Sequence, residues 1–301
     1  MFFVSASFVR HEEGLFELEP AVFVGFFVRS LAATLAGIIS LLFGFATVAS
    51  AASWEKTLTA SSAPSFPNPR PVHARYGFGW SGFPGATAEV RLNKATGDRL
   101  QLDLTAHTIG LVRTLWKFDA SHTSIIEAAT LHPVAVKQVE TVRSKKTVTD
   151  LSFGADGVTS KVTETPGKGT KVRRFDFPHL FDLQSALLYL RSQSLQERSV
   201  QRIVVYPATS AYLATATVLG RERITVPSGT YNAIKFDLQL NKIGKKGELE
   251  PHRKFRRATS WISDDPDRLL LRIEAQIFVG TVFAELQSVE FQNTKAQLTP
   301  D

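Results

Sequence analysis

The chain is 301 residues long, 44% hydrophobic and 21% charged, with a formal net charge of +7 and no cysteine. Without thiols it has no disulfide, no thiolate metal site and no lipobox cysteine to carry an acyl anchor. The fold must therefore rest on a packed core.

The first feature in chain order is an uncharged run, Ser30 to Ala51 (SLAATLAGIISLLFGFATVASA), preceded by Arg29 and closing on Ala49-Ser50-Ala51. This is the pattern of an export signal with cleavage after Ala51. Left uncleaved, the same run would be an inner-membrane anchor, since it approaches the ~18 apolar residues a span requires. Met1 to Val28 carries Glu12, Glu13, Glu17 and Glu19 where a signal peptide is short and positive. A start at Val22, Val24 or Val28 would leave an ordinary signal peptide. Cleavage removes two basic and four acidic residues and raises the charge to about +9. That balance suits contact with anionic lipid, lipopolysaccharide or acidic glycans, or simple solubility, and export argues against nucleic acid.

The mature segment of about 250 residues can bury roughly 70 to 75% of its unfolded surface, enough for one domain. Residues 52–73 contain SSAPSFPNPRP (Ser61 to Pro71), a flexible Pro/Ser-rich leader. From residue 74 to 301 strand signals dominate. Leu100, Leu102 and Leu104 alternate with polar residues, as do Ile234, Phe236, Leu238 and Leu240. A period of two means one buried and one wet face, as in antiparallel sheet. Turn residues separate such runs at Asn93–Asp98, Ala155–Gly157, Pro227–Thr230, Gly244–Gly247 and Asp264–Asp267. The pattern predicts nine to eleven strands.

Two segments break this rhythm. Asp182 can cap a helix with Leu183, Ala186, Leu187 and Leu190 in one stripe toward the sheet, and Gln184 and Arg191 toward water. A second helix is predicted within Thr108–Phe118, with Leu111, Leu115 and Phe118 as its stripe and Trp116 extending it. Neither can bury its stripe alone, so both are expected on the concave side of the sheet. The fold class is mainly β: a curved antiparallel sheet, half-barrel or open barrel, with two short helices.

Gly77, Gly79 and Gly82 match G-x-G-x-x-G but follow no strand and open no helix, so they mark a strongly bent strand rather than a nucleotide site. The seven histidines have no metal-ligand spacing, and neither metal nor cofactor is implied. Asp264, Asp265 and Asp267 flank Pro266 as a turn, and no catalytic residue can be assigned. Basic clusters at Arg143–Lys146, Lys171–Arg174 and Lys245–Arg257 sit beside turn signals and suit solvated hairpin ends or an anionic contact.

TSWISDDPDRLLLRIEA (Thr259 to Ala275) and GTVFAELQS (Gly280 to Ser288) resemble the carboxy-terminal signature of the bacterial Domain of Unknown Function 3108 family. YGFGWSGFPGATAEV, GLVRTLWKF, FDLQSALLYLR and GRERITVPSGTYNAIKFDL support the resemblance in the same order. It implies an exported envelope protein with a curved antiparallel sheet similar to the half-barrel of lipoprotein carriers, and it supplies no catalytic residue. The leading expectation is a non-enzymatic periplasmic protein enclosing a lipid, a lipoprotein acyl chain or another hydrophobic envelope component. Its cavity wall would include Leu111, Leu115, Trp116, Leu187 and Leu190. The alternatives are an envelope assembly scaffold with a filled core, and an enzyme on glycan or lipid whose carboxylates converge only in space.

Overall fold

The structure is a computed structural model that describes residues 54–60, 69–167, 169–251, 257–276 and 280–292. The signal segment and the stretch before it lie outside the described residues.

Among the described residues the chain forms fifteen strands, most of them with alternating apolar and polar side chains: β1 (Val72–Trp80), β2 (Phe83–Ala95), β3 (Arg99–Thr108), β4 (Phe118–Glu127), β5 (Pro133–Val142), β6 (Lys145–Gly154), β7 (Gly157–Thr165) and β8 (Gly169–Asp176) precede the main helix. After it come β9 (Val200–Val205), β10 (Tyr212–Val226), β11 (Gly229–Ile243), β12 (Leu249–Pro251), β13 (Arg257–Ser263), β14 (Leu270–Gln276) and β15 (Thr281–Phe291). The count exceeds the nine to eleven expected. β8 (GTKVRRFD) is an exposed edge strand and β12 has three exposed residues, so neither carries the alternation that reveals a half-buried strand.

All of them form one antiparallel sheet, in the order β8-β7-β6-β5-β4-β3-β2-β1-β15-β14-β13-β11-β10-β9, with β12 paired to β11. Two meanders meet where β1 pairs with β15, and the chain crosses from one edge, β8, to the other, β9, through residues 177–199. The edges do not pair, so the sheet is open. It curls until its two halves touch: Ser160 on β7 donates to the Ala208 carbonyl at 2.6 Å, and Gln138 on β5 donates to the Pro207 carbonyl at 2.7 Å. Val136, Leu151 and Val158 pack there against Val204, Tyr206 and Leu213.

The glycine-rich segment proves to be a hairpin rather than one bent strand. Ser81 and Gly82 take φ of 47° and 90° between β1 and β2, as a two-residue hairpin turn requires. Gly79 permits the close approach beside it, because a Cβ there would lie 2.5 Å from the Phe83 carbonyl oxygen. The three aspartates form the β13–β14 turn, where Asp265 Oδ1 accepts from Ser263 Oγ and from the backbone amides of Asp267 and Arg268.

Among the described residues two α-helices accompany the sheet. α1 (Gly110–Leu115) joins β3 to β4 and buries none of its residues. α2 (Leu183–Ser192) lies against the inner face, with Leu188 and Tyr189 among the core residues. Within the leader, Trp54–Thr57 forms a 3-10 turn, Trp54 stacks on Phe177 at 5.6 Å, and the Thr59 amide donates to the Arg202 carbonyl at 3.0 Å.

Candidate functional site

α2 starts where it does because Asp182 is an effective cap. Its carboxylate accepts from the amides of Gln184 (2.7 Å) and Ser185 (3.2 Å), and the Ser185 hydroxyl accepts from the Asp182 amide, a reciprocal capping box. Ser124 on β4 donates to the same carboxylate at 2.8 Å and ties the helix start to the sheet. Burial pushes the Asp182 carboxyl above its ordinary range, and these hydrogen bonds work in the opposite direction. At the other end, Arg191 donates to the Asp267 carbonyl, and Arg268 donates to the carbonyls of Arg191 and Gln193. Tyr189 reaches the Ala60 carbonyl.

Held in this way, α2 leaves a partly open cavity of ≈ 110 Å³ between its stripe and the sheet. Leu183, Ala186, Leu187 and Leu190 form the helix side, and Phe78, Leu104, Ile203, Val205, Leu238 and Ile273 form much of the sheet side. Space exists because four inward positions on β2, β3 and β10 carry alanine: Ala88, Ala106, Ala214 and Ala216. Larger aliphatic residues there would fill it to the density of an ordinary interior.

Polar groups interrupt this apolar wall. His122 on β4 lines the cavity and faces Glu140 on β5 across 3.3 Å, with side chains only 12% and 7% exposed. Gln138 and Gln201 line it too, each donating to a backbone carbonyl. Gln184 differs. It is 6% exposed, and neither its Oε1 nor its Nε2 has a hydrogen-bond partner among the described residues. It borders both this cavity and a second one of ≈ 40 Å³ on the other flank of α2.

These positions revise the expected register of the helix. Gln184 and Arg191, expected to face water, are 6% and 9% exposed. Apart from Leu183 and Leu187, which are half-buried, the helix is enclosed because the sheet curls around it, which a single-stripe pattern cannot convey. Leu187 and Leu190 are among the residues that line the cavity. Leu111, Leu115 and Trp116 do not reach it: they are 72%, 52% and 41% exposed on and just after α1. Its six helical residues at the end of a hairpin pack against β2 and β3 and bond to the start of β4 through Arg113 and Asp119, and a stripe of leucines has the same spacing whether it meets core or solvent. Sequence reasoning missed the alanine floor and Gln184. The alanines stand on strands far apart in the chain, and only the register shows that they share a space.

Among the described residues, no group of three or more His, Cys, Asp or Glu is placed to hold a metal ion, and no helix is long and apolar enough to cross a membrane.

Residues 73–287 match the family model described as protein of unknown function DUF3108. Among solved structures, the chain is similar to a β-barrel-like protein of Domain of Unknown Function DUF1849 from Brucella abortus. The TM-score is 0.53 at 10% identity, covering 76% of this chain and 100% of the other. A Bacteroides fragilis protein described as having a YmcC-like fold aligns at a TM-score of 0.34 and 8% identity, covering 75% of this chain and 98% of its own. No functionally curated protein matches the chain in sequence.

Proposed function

The chain belongs to the DUF3108 family, and from that footing we propose that it is a non-enzymatic protein of the bacterial cell envelope that holds the apolar chain of a lipid, lipoprotein or similar amphiphile against α2. The observation that carries this reading is the partly open cavity itself, apolar over most of its wall, with the amide of Gln184, which has no partner among the described residues, set into it. An empty apolar space forfeits dispersion contacts, and a buried amide without a partner costs about 1–3 kcal/mol. A chain with an ester, amide or hydroxyl near its apolar part would relieve both.

Size limits what is enclosed. At ≈ 110 Å³ the cavity is smaller than the ~300–1,000 Å³ of pockets that surround a whole ligand. It suits one segment of a chain, with the remainder extending through the open side. The export signal at Ser30 to Ala51 supports a periplasmic location.

A second reading, an assembly scaffold with a filled core, is favoured by the anchoring of α2 at both ends, which makes it a core element more than a lid. Native mass spectrometry of protein extracted gently from its own cells separates the two. Carriage predicts a discrete added mass that collisional activation releases as lipid. A protein that is always the bare polypeptide contradicts it.

A further inference from the structure

Six of the ten large apolar side chains exposed among the described residues lie together at the β1–β2 hairpin end and on or just after α1: Trp80, Phe83, Leu111, Val112, Leu115 and Trp116. Scattered singly such residues need no explanation, but a cluster does. The two elements touch. The Ile109 amide donates to the Gly85 carbonyl at 2.9 Å, and Val112 lies against Gly85, where a Cβ would sit 3.4 Å from its Cγ2. Trp116 stacks on Phe118 at 5.8 Å, which fixes its ring at the rim.

Cations border the same patch. The Arg143 amide donates to the Lys117 carbonyl at 2.8 Å, which puts the β5–β6 turn beside the end of α1. Lys117, Arg143 and Lys146 are all exposed there. Tryptophan with nearby lysine and arginine is the composition that settles at a membrane surface, rings among the headgroups and cations over phosphates. Position adds to the case. Phe78, Ala88 and Ala106, which line the cavity, lie two residues along their strands from Trp80, Ala86 and Thr108, so the patch borders the cavity end of these strands.

We propose that this rim is a docking surface for an anionic lipid bilayer, with Trp80, Phe83, Leu111 and Trp116 entering the headgroup region and Lys117, Arg143 and Lys146 neutralising phosphates. The surface stands whether or not the cavity carries a chain, because it rests on the rim alone. If both hold, the rim presents the cavity to the membrane from which an amphiphile is taken or to which it is delivered.

The test is tryptophan emission of the full chain with vesicles of phosphatidylglycerol and phosphatidylcholine carrying bromine on their acyl chains. The parent is compared with the W80F/W116F variant, whose remaining tryptophans are Trp54 and Trp261. Residues 30–51 are common to both chains, so any anchoring by that segment is common too. Docking predicts loss of emission in the parent, little loss in the variant, and a smaller effect on wholly phosphatidylcholine vesicles. A parent untouched by bromolipid, or a variant quenched as strongly as the parent, overturns the proposal. Equal quenching on neutral vesicles overturns the role given to the cations.

Discussion

Gln184 holds both amide atoms inside the molecule without a partner among the described residues, a position that a ligand, a bound water or an energetic penalty explains. Leucine has nearly the same volume and no polar atoms. Gln184→Leu is therefore expected to raise the stability of ligand-free protein by about 1–3 kcal/mol, read from urea unfolding. A loss of stability would show that the amide is already satisfied. Asp182, a few ångströms away, makes a pH prediction. Its folded-state pKa is raised above the ordinary 3.8, mainly by burial, so the folded state binds its proton more tightly than the unfolded state. Its contribution to stability is complete below the unfolded value and is lost as pH rises through the folded value. Asp182→Asn keeps the cap acceptor and removes the titration. The difference in unfolding free energy between parent and variant should therefore shift against the parent with rising pH across that window, and a difference constant with pH would contradict the raised pKa.

At the scale of elements, α2 separates residues that close the core from residues that border space. Leu188 is 1% exposed within the main core and borders only the smaller cavity, whereas Leu187 borders both. Leu188→Ala is expected to cost about 2–5 kcal/mol, and Leu187→Ala less than about 2 kcal/mol, because the space beside it is already partly empty. Paired thermal melts decide this, and equal losses would mean that the helix is packed as tightly on the cavity side as elsewhere. The cap at Asp182 and the stripe through Leu190 were legible in the sequence because both are local: a side chain reaching its own next turn, and a spacing of three and four. The burial of Arg191 was not legible, since its partner is the Asp267 carbonyl seventy-six residues away. Nor was the fate of α1, because nothing local distinguishes an apolar stripe that finds a core from one left outside.

For the molecule as a whole, alternation revealed the sheet and its antiparallel character. It could not reveal how far the sheet curls. The joint between its halves depends on a few distant pairs, of which Ser160 with the Ala208 carbonyl is fully buried. Ser160→Ala orphans that carbonyl and should cost about 1–3 kcal/mol. Hydrogen exchange should show the loosening first on β7 and on residues 206–211, whereas uniform exchange would deny a joint there. The same curl makes the cavity, and the proposed function requires that cavity to take an apolar chain. Ala106→Leu adds three carbons to its wall without touching the rim tryptophans or the cap of α2. Titration of cis-parinaric acid, a fatty acid that fluoresces when its chain leaves water, is the direct measurement. Carriage predicts saturable emission with the parent and its loss in Ala106→Leu at unchanged or higher melting temperature. No binding by the parent, or undiminished binding by a stably folded Ala106→Leu, would contradict it.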